Sequence, residues 1–275
     1  MPPANKEKTV KKTDGVKSSS QREDGRSTLF VGSVEKTFNV LAAFDTGTRS
    51  LSLTQIAETS GLNLSAAQRF VYTLQSLGFL RKDLQTRQYS LSPKLLNVGT
   101  SFLRSEDLAG RAVPYIRQAS DQSGETISLL ELDGADVIHV IRYGAARLVN
   151  MRILLGTRMP ALLGAGGRVI LASLPTAEAE AVIEQAFDVA SRHETLDRTA
   201  VEESLNAARR DGFLVVNNAA IASDLTVAAP VIGARRHAIA SVEFTVPPDR
   251  WSDTSFRDGL IRLVIETAQA LSTSP

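Results

Sequence analysis

Apolar residues recur at helical spacing in three segments near the start of the chain, separated by short polar stretches. One helix is predicted from Phe30 to the Thr46-Gly47 pair, a second over residues 53–59 and a third over residues 65–77. In each segment the apolar positions fall three or four residues apart, which places them on one helix face. The side chains predicted to face inward are Val34, Phe38, Leu41, Phe44, Leu53, Ile56, Ala57, Ala67, Phe70, Val71, Leu74 and Leu77.

A sharp turn and a change of period complete this first unit. Gly61 separates the second and third segments, and glycine readily adopts the left-handed conformation that a tight turn between helices needs. Residues 78–91 then show a strand, a polar turn and an alternating strand, which indicate a β-hairpin. Three helices followed by a hairpin are typical of a winged helix-turn-helix domain, which we place at residues 29–92. A linker helix is predicted over residues 93–107 because proline suits the first helical turn.

Beyond Gly124 the pattern alternates between strands and helices. Residues 126–132 and 137–143 are strand-like and flank Asp133-Gly134, a strong hairpin signal. The fold class predicted for the whole chain is therefore α+β, with a second, α/β domain over residues 108–275 built on a largely antiparallel sheet. Further strands are predicted at residues 213–217, 225–231 and 239–246, and helices at residues 108–122, 167–173, 178–185, 201–211 and 256–271.

Composition narrows the class of protein. The 275 residues are 43% hydrophobic and 22% charged, which is typical of a chain with a packed core. No apolar run approaches the roughly 18–20 residues that cross a bilayer, and the first residues lack the apolar region of a signal peptide. We therefore expect a cytoplasmic protein without a membrane partner. Because cysteine is absent, disulfides, thiolate metal sites and a thiol nucleophile are excluded, and no cofactor is expected.

Charge is divided unevenly along the chain. Residues 1–28 carry seven basic and four acidic side chains, as do residues 29–94, whereas residues 95–275 carry 17 arginines and 22 acids. Residues 1–28 also contain almost no large apolar side chains, which predicts a disordered basic tail. A basic front joined to an acidic remainder indicates a polyanion partner for the first domain, and ordinary variation in solvated charge is the alternative.

The third predicted helix has a solvent-facing side suited to DNA. The major groove is about 12 Å wide and admits one α-helix, in which glutamine pairs with adenine and arginine with guanine or a phosphate. Basic residues of the hairpin would contact the neighbouring phosphates of the DNA backbone. The alternative is a protein-docking module whose polar side chains coat an exposed helix. The residues predicted to contact DNA are Ser65, Ala66, Gln68, Arg69, Tyr72 and Thr73 on the helix, and Lys82 and Arg87 in the hairpin.

Motifs in both domains resemble the IclR-type family of transcriptional regulators. Each motif is short, but their order and spacing extend over about residues 29–272. Residues 156–161 together with residues 167–172 are most similar to the branch that controls aromatic-acid and β-ketoadipate catabolism. The motifs that carry the resemblance include residues 33–41 and 51–62, Gly124-Glu125-Thr126, Leu132-Asp133-Gly134, Gly156-Thr157-Arg158-Met159-Pro160 and Ala228-Ala229-Pro230-Val231.

The resemblance implies a reader of double-stranded operator DNA joined to an effector-binding domain that senses a small metabolite, usually an organic acid. It also implies homodimers or dimers of dimers on a near-palindromic operator, since two-fold pairing doubles the contacts at two half-sites. The branch it resembles implies an aromatic acid or its breakdown product as the effector. The effector-binding positions it implies are Leu148, Met151, Met159, Ala165, Gly166, Val216, Thr226, Ser241 and Glu243.

A glycine-rich stretch at residues 160–168 places small residues directly before a predicted helix. Free N–H groups at a helix N-terminus favour an anion, so Leu163 and Gly164 join the predicted pocket. Tight packing of the helix on the sheet is the alternative. Two methionines favour an aromatic or alkyl ligand body. Glu243 would repel an anionic ligand unless Arg168 or Arg152 neutralises it, or it could accept a hydrogen bond from a phenolic hydroxyl.

Two other function classes compete with a regulator. An enzyme in the second domain would need a catalytic or metal-binding motif, and none is present around His139, His193 or His237. These histidines are read as ordinary surface or core residues, and no enzyme is expected. An architectural DNA binder that needs no effector is the other alternative, and it would bind without sequence preference.

Overall fold

A computed structural model of the chain divides into two compact units, Met1–Gly99 and Thr100–Pro275. The division falls inside the linker predicted over residues 93–107. The predicted tail lies outside the described residues except for Ser27, as do Leu148, Met151, Arg152 and His193. The structure describes residues 27, 29–45, 47–105, 107–144, 154–190, 196–217 and 225–273.

The first unit contains three helices and a hairpin in the predicted order. The elements are α1 (Gly32–Ala42), α2 (Leu53–Thr59), α3 (Leu64–Ser76), β1 (Leu80–Lys82) and β2 (Tyr89–Leu91). Helix α2 ends before Gly61, which takes the predicted left-handed conformation with φ of 67°. Strands β1 and β2 pair antiparallel, from Leu80 opposite Leu91 to Lys82 opposite Tyr89.

In this unit, some of the side chains that were predicted to face inward are exposed. Val34 and Phe38 are 52% and 65% exposed, although both were predicted to face inward. Only the C-terminal end of α1 is buried, around Val40 and the residues that follow it, so the apolar stripe is longer than the surface that covers it. Leu77 is also exposed because it lies one residue past the end of α3.

The linker predicted as a helix over residues 93–107 begins with a 3₁₀ turn at Pro93–Leu95, which leads into α4 (Leu96–Ser105). The helix predicted over residues 108–122 follows as α5 (Asp107–Ser123). Ser92 caps the turn by accepting a hydrogen bond from the Lys94 N–H at 3.2 Å. The proline therefore begins a short 3₁₀ turn rather than the α-helix itself.

A six-stranded antiparallel sheet forms the centre of the second unit. The strands are β3 (Thr126–Asp133), β4 (Asp136–Tyr143), β5 (Arg158–Pro160), β6 (Leu214–Asn217), β7 (Leu225–Ile232) and β8 (Ala238–Val246), and the helices are α6 (Ala165–Ser173), α7 (Thr176–Ala190), α8 (Arg198–Asp211), α9 (Pro248–Trp251) and α10 (Thr254–Leu271). The strand order in the sheet is β5-β4-β3-β8-β7-β6, and the predicted hairpin around Asp133-Gly134 joins β3 to β4. Strand β5 and helix α9 were not predicted.

The two faces of this sheet pack against different helices. On one face, apolar residues such as Leu129, Val242 and Phe244 form a core with α5 and α10. On the other face, Leu130 and Ala228 pack with α6 and α8. In the described part of the chain, none of the helices combines the length and apolar content that a bilayer span requires.

Helix α6 approaches its neighbours more closely than a side chain would allow. A Cβ atom on Gly167 would lie 2.1 Å from the Ala161 carbonyl oxygen, and one on Gly166 would lie 2.2 Å from Leu130 Cδ1. Tight packing, the alternative considered for the glycine-rich stretch, therefore explains Gly167. The surroundings of Gly166 also include polar side chains of the predicted pocket.

Candidate nucleic-acid interface and effector pocket

Helix α3 turns its predicted reading residues outward. Asn63 caps the helix, since its side-chain oxygen accepts a hydrogen bond from the Ala66 N–H at 2.8 Å. Ala67, Val71 and Leu74 are buried and fix which side of the helix remains outside. Ala66 itself is half-buried. The exposed residues of the predicted set are Ser65, Gln68, Arg69, Tyr72 and Thr73.

A groove of about 470 Å³ brings most of the predicted DNA contacts together. It lies between α3 and the hairpin, and it includes Lys82 but not Arg87. Sequence reasoning missed Gln75 and Tyr89, which also line this groove; the exposed position of Gln75 on α3 was the available signal. The predicted residues that line the groove are Ser65, Gln68, Arg69, Tyr72, Thr73 and Lys82.

A second groove of about 370 Å³ joins α1 to α3. Ser33 and Lys36 line it together with Ala66, Arg69 and Thr73, and neither Ser33 nor Lys36 was predicted as a contact. Arg69 and Thr73 therefore line both grooves. Sequence reasoning missed Lys36 because the spacing of apolar residues within one helix does not indicate which turn of α1 lies next to which turn of α3.

The hairpin turn is organised by Asp83. Its carboxylate accepts hydrogen bonds from the Thr86 and Gln85 N–H groups at 3.1 and 2.8 Å, and these bonds lower the pKa of Asp83. Arg87 follows with φ of 57°, an uncommon conformation for a residue other than glycine. Lys82 Nζ lies 5.3 Å from the centre of the Tyr89 ring, within range of a cation–π contact. The turn thus presents Lys82 and Arg87 as exposed cations.

The predicted effector residues that the structure describes lie around the N-terminus of α6. The Gly166 N–H donates to Glu243 Oε2 at 2.8 Å, and the Ala165 N–H donates to Thr226 Oγ1 at 3.3 Å. In this structure these two N–H groups at the start of α6 therefore have partners within the chain itself. The chain supplies its own carboxylate at the helix end, where the helix dipole favours negative charge.

The remaining pocket residues surround the same helix end. Thr226 and Ser241 are buried on the sheet face that α6 covers, since both lie at positions that alternate with the opposite core. Met159 and Val216 are half-buried against the core around α6, and Leu163 and Gly164 are buried. Leu148 and Met151 lie outside the described residues.

Burial governs the charge of Glu243. It raises the pKa of Glu243 to about 7, although the hydrogen bond from Gly166 and the positive charge of Arg142 oppose this shift. Arg168, one of the two arginines predicted to neutralise Glu243, instead donates to the Leu162 carbonyl at 2.7 Å and to Ser204 at 3.1 Å. Arg142 is the arginine whose charge acts on Glu243, and the two residues lie on the same sheet face on either side of Ser128.

His139 is the polar residue that sequence reasoning did not assign to the pocket. It is 1% exposed, on β4. Burial, with a contribution from Arg142, lowers the pKa of His139 to about 4, so the ring is neutral at pH 7. It lies on the same face as Val137, which packs in the core around α6, and the β-bulge at Val140 brings Arg142 onto that face as well. Among the described residues, no three histidine or acidic side chains come together as a metal site.

Glu243→Gln is expected to increase stability at alkaline pH. The pKa of Glu243 is raised from 4.5 to about 7, so the stability it contributes is full below pH 4.5 and is lost as pH rises through 7. Glutamine can still accept the Gly166 hydrogen bond but does not ionise. A gain of about 3 kcal/mol in unfolding free energy is expected at pH 8, measured by urea denaturation.

Two comparisons make this pH test specific. The pH dependence of stability that His139 contributes has the opposite sign, because its pKa is lowered: the stability it contributes is lost as pH falls from 6.5 through about 4. The variants are therefore compared above pH 6.5. Glu266→Gln, an exposed change on α10, is the matched control. An equal response of both variants at pH 8 would show that Glu243 carries no buried charge.

Comparison with known proteins assigns both units. Residues 33–84 match the IclR helix-turn-helix domain, and residues 100–273 match the C-terminal domain of the bacterial transcriptional regulator IclR. The p-hydroxybenzoate hydroxylase transcriptional activator of Acinetobacter baylyi is 26% identical over 255 residues, covering 90% of this chain and 93% of that protein. The glycerol operon regulatory protein of Streptomyces coelicolor is 29% identical over 251 residues, covering 88% and 95%.

The fold is shared with solved structures as well. The crystal structure of a transcriptional regulator from Rhodococcus sp. RHA1 is similar with a TM-score of 0.73 and 29% identity, covering 88% of this chain and 97% of that one. The matched proteins regulate transcription, so the alternative of an enzyme in the second domain is discarded. Because the family matches cover the helix-turn-helix and most of the second unit in the same order, the chain belongs to the IclR family of transcriptional regulators.

Proposed function

We propose that this regulator reads operator DNA with the exposed side of α3 and grips the adjacent backbone with the β1–β2 hairpin. The observation that carries the proposal is the single groove in which Gln68 and Arg69 of α3 lie with Lys82 of β1. One concave surface therefore combines hydrogen-bonding groups for base edges with a cation for a phosphate. Arg87, exposed in the turn, would contact a more distant phosphate.

We infer that the effector is an aromatic acid bound beneath the N-terminus of α6. Apolar side chains there, including Met159 and Leu163, suit a ring, and Arg142 supplies a cation on the same sheet face. The relatives do not select one ligand class, because one is named for p-hydroxybenzoate hydroxylase and another for a glycerol operon. The choice of an aromatic acid therefore rests on the lining of the site and on the branch that residues 156–161 and 167–172 resemble.

Effector binding would act by population shift. An effector that binds one arrangement of the effector-binding domains more tightly favours that arrangement and changes the spacing of the two reading helices in a homodimer or a dimer of dimers. The exposed apolar side chains of α4, Leu96, Val98 and Phe102, are consistent with a second copy of the chain near the linker. Two copies would place the α3 helices on half-sites of a near-palindromic operator.

Selection of genomic DNA fragments by the purified protein tests this function. A few fragments with two related half-sites should be enriched, and a panel of aromatic acids should change their retention. Enrichment of unrelated fragments, with retention that falls steeply with salt and has no sequence preference, would instead indicate the architectural binder. Retention unaffected by every aromatic acid would contradict the proposed effector class and leave the DNA-reading assignment intact.

Lys82→Gln is expected to weaken binding to all duplexes by a similar factor. If Lys82 neutralises one phosphate, its loss should reduce the slope of log affinity against log salt by about one. Lys94→Gln is the matched control, because the Lys94 amine donates to the Leu77 carbonyl at 2.8 Å and lies over Phe79. Binding titrations at several salt concentrations measure both slopes, and equal slopes for wild type and Lys82→Gln would contradict the hairpin contact.

A further inference from the structure

Arg69 and Thr73 form an exposed ridge along α3, and a groove runs along each side of this ridge. The two residues lie one helical turn apart on the same face of the helix. Both line the groove between α3 and the hairpin, and both also line the groove between α1 and α3. The hairpin and α1 therefore flank the exposed face of α3 from opposite sides.

The two sides of the ridge differ in the side chains that α3 supplies. On the side of the hairpin α3 adds polar residues, which are Ser65, Gln68, Tyr72 and Gln75. On the side of α1 it adds only Ala66 and Phe70, which are apolar and half-buried. The further side chains that can bind an anion on this second side come from α1, and they are the exposed Ser33 and Lys36.

The charge of Lys36 is not neutralised by a neighbouring carboxylate. Within the ranges that the structure describes, Lys36 makes no ion pair, and neither do Arg69 and Lys82. Glu35 is next to Lys36 in sequence but does not line the groove. Three arginines of the second unit, in contrast, each contact an acidic side chain: Arg158, Arg198 and Arg250. The cations around α3 are therefore available to a polyanion from outside the chain.

The dimensions of DNA place a phosphate backbone on each side of a helix in the major groove. An α-helix with its side chains is about 10–12 Å across, and the major groove is about 12 Å wide. Both edges of the major groove consequently lie next to the inserted helix. Lys82 of the hairpin is placed to reach one edge, and Lys36 is the cation of α1 on the side of the other edge.

We propose that Lys36 and Ser33 bind the phosphate backbone on the side of α3 opposite the hairpin, so that cations on both sides hold α3 in the major groove. The proposal rests on the proposed function and adds a second set of backbone contacts to it. An ammonium group that neutralises a phosphate releases a counterion, whereas a serine hydroxyl donates a hydrogen bond without any change of charge. The two residues therefore affect the salt dependence of binding differently.

Binding titrations of the full-length protein with the enriched operator fragment, at about 50 to 200 mM salt, test the proposal. Lys36→Gln should reduce the slope of log affinity against log salt by about one for each bound copy of the chain. Lys36→Arg should keep the wild-type slope, because it keeps the charge. Ser33→Ala should weaken binding by about 2- to 10-fold without changing the slope, because only a neutral donor is lost.

Neutral methylphosphonate linkages, placed one at a time in the same fragment, locate each contact. Neutralising a contacted phosphate should weaken wild-type binding at positions on both edges of the major groove. One of these positions in each half-site should lose its effect in Lys36→Gln, and a different position, on the opposite edge, should lose its effect in Lys82→Gln. If both variants lost the effect at the same edge, the proposal would be overturned.

Arg49→Gln is the matched control for the charge change. Arg49 is exposed between α1 and α2 and lines neither groove, so its loss removes the same charge without a predicted contact. A wild-type slope for Lys36→Gln, or equal slope changes in Lys36→Gln and Arg49→Gln, would overturn the proposal. If Arg69→Ala still weakened binding in that case, reading by α3 would stand. If Arg69→Ala also had no effect, the proposed function itself would fail.

A second copy of the chain is the other occupant to test for this groove. Val34 and Phe38, which are exposed apolar residues of α1, do not line it, so the apolar surface available to another copy lies elsewhere on α1. If copies met at Lys36, Lys36→Gln should change the sedimentation coefficient while the salt slope stays as in wild type. That combination would overturn the proposal, whereas a reduced slope with unchanged sedimentation would support it.

Discussion

Replacing Arg69 with alanine is expected to weaken operator binding by about 10- to 100-fold while leaving effector affinity nearly unchanged. Arg69 lines both the groove between α3 and the hairpin and the groove between α1 and α3, so it is placed to contact a base edge or a phosphate. A bidentate contact from arginine contributes about 1–3 kcal/mol. Gln68→Ala should have a comparable effect and should relax the sequence preference at one position of each half-site.

The measurement is a binding titration with the enriched operator fragment and a scrambled duplex. Arg117→Ala is the matched control: Arg117 is an exposed arginine on α5, 3.9 Å from Asp121, and its loss should leave operator affinity unchanged. Effector affinity of each variant is measured in parallel by calorimetry. Undiminished operator binding by both Gln68→Ala and Arg69→Ala would show that α3 is not the reading helix and would favour the protein-docking alternative.

Gly167→Ala is expected to destabilise the second unit by about 3 kcal/mol, the largest stability effect that we predict for a single methyl group. The new Cβ would lie 2.1 Å from the Ala161 carbonyl oxygen and 2.6 Å from Ala161 Cα. Because these are backbone atoms, no side-chain rotation relieves the contact, and α6 or the segment before it must move. Movement of α6 would also disturb the hydrogen bond between Gly166 and Glu243.

Urea denaturation of wild type and variant measures this loss. Gly259→Ala is the matched control, since Gly259 lies in α10 with no atom near the position of a Cβ. That substitution should instead stabilise by about 0.5–1 kcal/mol, because alanine loses less conformational freedom than glycine in a helix. A Gly167→Ala protein as stable as wild type would mean that the close approach of α6 to Ala161 is not required.

Local patterns predicted the order and the type of most elements. The bounds of α2 agree with those predicted, and the hairpins around Asp83 and Asp133-Gly134 form where turn residues separate alternating strands. These features depend on neighbours within a few residues, so the information lies in the local sequence. Strand β5 was missed because three residues carry too little periodicity, and it is defined only by pairing with β4.

Which side chains are buried, and which residues they contact, could be determined only from the folded structure. Helical spacing places Val34 and Phe38 on the same apolar stripe as the buried end of α1, but it does not say where the covering helices stop. The resemblance to the family implied that Glu243 lines the pocket, but it did not show that the carboxyl group of Glu243 caps α6. The arginine that faces it, Arg142, is 101 positions away in sequence and was not among those considered.

The amino-acid sequence by itself determined a basic helix-turn-helix unit and an antiparallel second domain, because periodicity, turn residues and charge are properties of short stretches. The family was indicated by the resemblance of motifs in both domains and by their order along the chain. Only the tertiary structure decided which polar groups meet under α6. A single extra residue in β4 places Arg142 on the same sheet face as His139, and sheet register places Leu130 between His139 and Ser241. Register and bulges arise from pairing between distant strands, so no local pattern specifies them.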